Sequence, residues 1–363
     1  MKSKNVGIIT FHNAHNYGAV LQAYALHKKL SLLGASSQFI QDKEDFVGEK
    51  YRLTPALKGK SFIRYIKEWL KLLLDYKRKK TRHDAFVAFI KNYLPMANLA
   101  DGEHSFDCVA LGSDQIWNPN ITKNIKDIYF GVDPLIKTDN VFSYAASMGN
   151  GMQEQYFTPE FKSKLSNLNK LGVREAALGE FINKKFNFDY AINLDPTLLL
   201  DKQEWHKIAA PSKSKERYLL VYEVEKNPNT QPVVDYIAKK MDLKVKAVSS
   251  KILRNSEPNE ITTASPEEFL SLFANATFVV TTSFHGTVFS VINEIPFFTI
   301  KFNNGIDLRS SGILNSISLQ DRHINGLEDI NDIDLSFVSA KSRLADLRAE
   351  SEKYLVQSIN QSA

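Results

Sequence analysis

His285 stands in TTSFHGTVFSVINEIPF, residues 281–297, between a β-rich run and an apolar segment with helical spacing. A histidine there has two readings. Packed in the core it needs one hydrogen bond. At the entrance of a helix it can carry a proton beside an anion, because the first N–H groups lack internal partners and the dipole is positive there. A bound anion helps the imidazole keep its proton, which is how a general acid is supplied. Thr281, Thr282 and Ser283 add hydroxyl donors, and Gly286 would allow close approach to the backbone. The position at a strand end favours the functional reading.

Arg174 ends the strand-like LGVR, and Arg309 lies in GIDLRSSG after FFTIKF. A guanidinium holds carboxylate or phosphate bidentately, which lysine does less well. Surface pairing is the ordinary fate of an arginine, but with His285 these two make an anion clamp. In GSDQIWNP, residues 112–119, Asp114, Gln115 and Asn118 could hold sugar hydroxyls while Trp117 stacks on a sugar face. An Asx-type turn with Trp117 in the core fits the same composition. His12 and His15, in the first loop, are weaker candidates. There is no GxGxxG after the first strand, no Walker loop, no HExxH and no CxxC, so neither those phosphate loops nor a metal or bound cofactor is expected.

These residues need strands to carry them. At 363 residues two domains are expected. Residues 6–11 read as a strand, 12–18 as a polar turn, and 19–33 as a helix ending at Gly34, the opening of a doubly wound α/β unit. Further strands are expected at 106–111, 140–145, 170–174 and 190–194. After LDPTLLL the alternation restarts: RYLLVYEV, LKVKAVSS and TFVVTTS as strands, TQPVVDYIAKKM and SPEEFLSLFANA as helices. The fold class is α/β, two Rossmann-like domains facing a cleft. Residues 1–200 form the first domain, expected on the acceptor side, and 201–335 the second, expected on the donor side. A last helix, over 334–359, lets residues 336–363 return to the first domain. Ligands in such sheets bind at the carboxyl ends of the strands.

Charge is local. Ten basic residues between 58 and 82, Lys58 and Lys60 among them, stand against Glu68 and Asp75, a balance of +8 that leaves the rest of the chain at −3 within a total of +5. Phe62, Ile66, Trp69, Leu70 and Leu73 form a helical apolar stripe in that stretch. An amphipathic helix lying on an anionic membrane and a core-facing helix with a solvated basic face both show this pattern. The rest of the chain is acidic and carries no recognition motif, so nucleic acid is not expected as a partner. The single cysteine, Cys108, cannot form an intrachain disulfide and reads as buried filler. With no signal-like segment and no long apolar run, a cytoplasmic protein is expected, peripheral at the inner membrane face if the basic helix docks there.

Six stretches in order, TFHNAHNYGAVLQAYAL, GSDQIWNP, SYAASMG, VREAALGEF, DPTLLL and TTSFHGTVFSVINEIPF, resemble the polysaccharide pyruvyl transferases. The resemblance implies a GT-B-like fold and transfer of a pyruvyl group from phosphoenolpyruvate, as donor substrate and without a cofactor, to a sugar of a polysaccharide or its lipid-linked precursor. The product would be a cyclic ketal. By position His285 looks like the family's catalytic histidine and Arg174 like a donor-gripping arginine. Some members carry Arg two residues before the histidine, where this chain has Ser283. Arg309, with Lys301 behind it, is the expected replacement. Some carry Asn-x-Gly-Asp in the first loop, where this chain reads Asn16-Tyr17-Gly18-Ala19. Asn16 and Tyr17 are then acceptor contacts and Asp114 the expected acidic group. The rival readings are a nucleotide-sugar glycosyltransferase of the same architecture and a non-catalytic carbohydrate-binding relative.

Overall fold

The computed structural model describes residues 3–41, 46–55, 61–97, 102–212, 216–249, 252, 260–333 and 336–361. The chain opens with β1 (Asn5–Ile9), an apolar run that is almost wholly buried. The loop after it starts α1 (Tyr17–Leu32), whose first turn is capped by the Asn16 side chain accepting from the Ala19 N–H. β2 (Ser36–Phe39), α2 (Phe46–Glu49), α3 (Phe62–Leu74) and α4 (Tyr76–Tyr93) follow. Next come β3 (His104–Ser105), β4 (Cys108–Leu111), α5 (Pro119–Thr122), β5 (Ile136–Lys137), β6 (Val141–Ser143), α6 (Pro159–Leu165), β7 (Gly172–Val173), α7 (Ala176–Phe186) and β8 (Ala191–Ile192). The first sheet is parallel in the order β2-β1-β4-β6. Bridges from Phe142 to Lys170 and from Ala146 to Val173 carry it on to the β7-β8 pair. Cys108 is buried in β4, where desolvation pushes its thiol up to about 12.

The second unit repeats the alternation: α8 (Lys202–His206), β9 (Tyr218–Glu223), α9 (Thr230–Met241), β10 (Lys244–Ser249), β11 (Glu260–Ile261), α10 (Pro266–Ala274), β12 (Phe278–Thr281), α11 (Phe284–Asn293), β13 (Phe297–Ile300), α12 (Leu308–Ser316) and β14 (His323–Ile324). Its six parallel strands run β11-β10-β9-β12-β13-β14. FVVT and FFTI lack a polar face because helices cover both sides of such a sheet. α10 starts at a capping box, with Ser265 and Glu268 each satisfying the other's backbone N–H.

The two units share apolar packing. Tyr17 stacks on Phe269 with ring centroids 4.3 Å apart, and its hydroxyl donates to the Ala264 carbonyl at 2.7 Å. Tyr17 is therefore part of this joint and not an acceptor contact, because α1 turns it inward. The last helix, α13 (Val338–Ile359), packs on the first sheet, where Tyr354 donates to the Ser143 carbonyl and Ser351 accepts from the Leu194 N–H. Positions 334 and 335 lie outside the described residues.

The basic stretch is not one helix. It breaks at Asp75 into α3 and α4, and α4 continues to Tyr93. Lys58 and Lys60 lie outside the described residues. The apolar stripe of α3 does not enter the core: Phe62, Ile66, Leu70 and Leu73 are exposed. Among the described residues no helix is long and apolar enough to cross a membrane.

Candidate active site

The loops at the carboxyl ends of the two sheets enclose a cavity of about 350 Å³. From the first unit it takes Asn16 and Ala19 after β1, and Asp114, Gln115 and Asn118 after β4. From the second it takes Thr282, Ser283, Phe284 and His285 after β12, and Arg309 at the start of α12. It is the crevice that open α/β sheets offer at their strand ends.

His285 is the second residue of α11, and the Ser283 hydroxyl caps that helix by accepting from the Gly286 N–H at 3.4 Å. The imidazole reaches across to α1: a Cβ placed on Gly18 would sit 2.1 Å from Nδ1. Gly18 is thus the residue that lets the two units close around this ring. On its other side Nε2 lies 3.8 Å from Oδ2 of Asp195 and has no hydrogen-bond partner among the described residues. Burial pushes the imidazole down to about 4, against the upward pull of Asp195. At that value it is neutral at pH 7.

Asp195 is wholly buried at the turn after β8. Its Oδ1 accepts from the Thr197 N–H at 3.0 Å and from the Thr197 hydroxyl at 2.6 Å, and its Oδ2 accepts from Arg174 Nη1 at 2.7 Å. Burial works to raise this carboxyl, but His285, Arg174 and the Thr197 bonds together hold it below its ordinary value. It is a fixed anion. Reading the residues alone takes Asp195-Pro196 as a turn signal. Its signature as a site residue is the adjacency of Asp, Pro and Thr, which makes the carboxylate cap the turn while one oxygen stays free for Arg174.

The two arginines have different surroundings. Arg174 follows β7 and is almost wholly buried. Besides Asp195 it donates from Nε to Glu175 at 3.2 Å, and its Nη2 stands 4.0 Å from Asp114. Burial opposes its charge, and Glu175, Asp195 and Asp114 more than offset that, so the guanidinium stays ionised. It is not among the cavity-lining residues: carboxylates accept from its Nε and Nη1, while Nη2 is buried with no hydrogen-bond partner among the described residues. Arg309 does line the cavity and has no ion-pair partner among the described residues. Both guanidinium groups lie over the Phe284 ring, whose centroid is 5.3 Å from the Arg174 guanidinium carbon and 5.5 Å from that of Arg309. Cation–π contact of this kind fixes both planes without using a donor. Burial and the nearby Arg174 hold Arg309 below the ordinary arginine value. An anion is the ligand that would relieve both effects.

Several of the other candidate residues fall outside the cavity. Trp117 is buried, stacked on Phe130 and donating from Nε1 to the Tyr129 carbonyl at 2.9 Å, so its ring serves the core and not a sugar face. Gly286 faces Thr281, whose Oγ1 a Cβ would approach to 2.2 Å, so its smallness seats α11 on β12 and admits no ligand. Lys301, just past β13, donates from its backbone to Ile324 and accepts from Asn227. It does not line the cavity. His12 is buried with Nδ1 at 3.0 Å from the Thr10 carbonyl, and His15 stacks between Tyr51 and Phe86. Gln115 and Asn118 face the cavity already joined to each other, Asn118 Nδ2 donating to Gln115 at 2.8 Å. Among the described residues no cluster could hold a metal ion.

Comparison with known proteins bears on this geometry. The family model described as polysaccharide pyruvyl transferase matches residues 16–304, a span that includes Asn16, Asp114, Arg174, Asp195 and His285. The chain belongs to the polysaccharide pyruvyl transferase family. The family is one of transferases acting on polysaccharides, so a sugar acceptor follows from membership. No protein of curated function matches significantly. Among solved structures, one described as a UDP-N-acetylglucosamine 2-epimerase from Listeria monocytogenes is similar at 10% identity and a TM-score of 0.50, over 99% of this chain and 96% of that one. A further UDP-N-acetylglucosamine 2-epimerase is similar at 11% identity and 0.50, over 98% and 95%. At such identities the likeness is one of fold: this pyruvyl transferase family member has the GT-B architecture, two Rossmann-like units about a cleft.

Proposed function

We propose that the protein transfers a pyruvyl group from phosphoenolpyruvate to a sugar of a polysaccharide or its lipid-linked precursor, closing a pyruvate ketal. Family membership supports the pyruvyl group. The observation that carries the donor is Arg309, a guanidinium with no ion-pair partner among the described residues, held on Phe284 beside the start of α11 and facing the same cavity as His285. The donor's phosphate and carboxylate would lie against Arg309 and the first N–H groups of α11.

A neutral imidazole gains a proton when a dianion binds beside it. His285 would then protonate the donor's methylene carbon, leaving an oxocarbenium-like centre at C2. One sugar hydroxyl adds to C2 and gives up its proton to Asp114, a carboxylate that lines the cavity. The C2–O bond to phosphate breaks, phosphate leaves, and a second hydroxyl adds to C2 with loss of its own proton. Asp195 is a positioning residue, orienting His285 and stabilising its protonated form across 3.8 Å. A cytoplasmic location, consistent with the single buried thiol, belongs to the same reading.

The test is phosphate release from phosphoenolpyruvate across a panel of acceptor sugars, with mass spectrometry of the product. Acceptor-dependent release with a pyruvylated product is the expected result. Thermal stabilisation by nucleotide sugars and not by phosphoenolpyruvate would favour a glycosyltransferase instead. Sugar binding without phosphate release would mark a non-catalytic relative.

A further inference from the structure

α3 wears its apolar side outward. At 100° per residue, Phe62, Ile63, Ile66, Leu70, Leu73 and Leu74 fall within an arc of about 120°, and each of them is between 41% and 68% exposed. Leu72, on the far side of the helix, is its one buried residue. A helix that belonged to the core would show the reverse, as α9 does with Val233, Val234 and Ile237 buried. Contiguous exposed apolar surface of this kind marks a contact site.

Charge decides what the contact is. Arg64, Lys67 and Lys71 run along one border of the apolar arc, and α4 continues with Lys77, Arg78, Lys79 and Lys80. The nearby acids are already engaged: Glu68 with Arg64, Asp75 with Arg78, and Asp84 with Lys80. Pairing α3 with a second copy of itself would set these cations against each other. An anionic bilayer surface matches both halves of the pattern, taking the apolar arc into the acyl boundary and the lysines among phosphate headgroups. At 13 residues the helix is too short to span a bilayer and suited to lying in its plane.

The attachment of this element to the body is firm. Arg82 on α4 is buried and donates from Nη1 to the Tyr17 hydroxyl at 3.1 Å and to the Ser249 and Thr262 carbonyls at 3.1 and 3.2 Å, touching both units. Phe86 on α4 stacks on His15, which stacks on Tyr51, and Tyr51 lines the cavity. α4, which follows α3 directly, is thus tied to a wall of the cavity and to both units. We infer that α3 docks the protein on an anionic membrane surface. The inference stands on α3 and α4 and is read by binding, so failure of the chemistry proposed for the cleft leaves it intact.

Flotation of the full chain with vesicles of phosphatidylglycerol in phosphatidylcholine, against pure phosphatidylcholine, tests it. The wild-type protein is expected to float with the anionic vesicles at low salt and to release at high salt. Ile66→Asp with Leu70→Asp should lower partitioning more than tenfold by removing buried apolar area. Lys67→Gln with Lys71→Gln should lower it roughly fivefold per lysine. All four positions are exposed, so melting temperatures should hold, and the lysine pair keeps the test open should the aspartates disturb folding. Three results would overturn the inference: wild-type protein that stays with the soluble fraction, folded variants that float as well as wild type, or a concentration-dependent dimer that Ile66→Asp with Leu70→Asp abolishes.

Discussion

Oδ2 of Asp195 accepts from Arg174 at 2.7 Å and faces Nε2 of His285 at 3.8 Å, so one carboxylate oxygen sits between a buried guanidinium and the imidazole. The carboxylate pulls the histidine upward, opposing the burial that pushes it down. Asp195→Asn removes that pull. Because the proposed acid must be protonated, activity is lost as pH rises through the His285 value in the donor complex, and the variant's alkaline limb of kcat should move to lower pH. A lower melting temperature is also expected, since Arg174 loses a buried partner. A merely structural Asp195 would lower stability and leave the pH profile where it was.

His285→Ala should lower kcat by about 10² to 10⁴, the usual contribution of positioned proton transfer, while circular dichroism shows the fold intact. Its stability should also respond to pH differently. In the ligand-free protein the imidazole is held down to about 4 from 6.5, so between those values the unfolded chain binds more protons and stability falls as pH falls. His15 and His323, each also pushed down to about 4 by burial, act with the same sign. Melting temperatures from pH 7.5 to 4.5 should decline less steeply for His285→Ala than for wild type.

Among the described residues Arg309 has no ion-pair partner, and its guanidinium lies over the Phe284 ring. Arg309→Ala should raise the dissociation constant for phosphoenolpyruvate by roughly tenfold to a hundredfold, the range of one charge-assisted hydrogen bond, with little change in melting temperature. Arg309→Lys should recover part of the affinity, because the charge returns without the fork. Calorimetric titration reads both. Equal affinity in all three proteins would remove Arg309 from the donor site.

Gly18→Ala puts a methyl group where the imidazole lies, with 2.1 Å to Nδ1. Either α1 or His285 must shift. Overpacking of this kind costs about 1–3 kcal/mol, and displacement of the ring should lower kcat more than it raises KM. Paired melting and kinetic measurements check this. A variant with wild-type kcat would show that His285 tolerates movement and is not held by α1.

The alternation of strands and helices could be read from the residues because it is local. FVVT and FFTI are apolar but for one threonine each, as suits parallel strands buried on both faces, and Ser265-Pro266-Glu267-Glu268 announces a helix start. The stripe of α3 was equally legible as a helix, but periodicity says which residues share a face and not which way the face points. Trp117 shows the same limit. An indole between polar residues has one composition whether it stacks on a sugar or on Phe130, and packing alone separates the two.

What the sequence determined by itself is the α/β class, the family, and a histidine at the start of a helix that follows a strand, since propensity, capping and ordered motifs are properties of neighbours along the chain. The tertiary structure decided which charges answer that histidine. Asp195 lies 90 positions from His285 and Gly18 lies 267, and only the closing of two sheets brings them to one ring. The same closing turned Arg174 toward carboxylates and left Arg309 for the cleft, because partner choice among like side chains depends on burial and distance, which spacing along the chain does not encode.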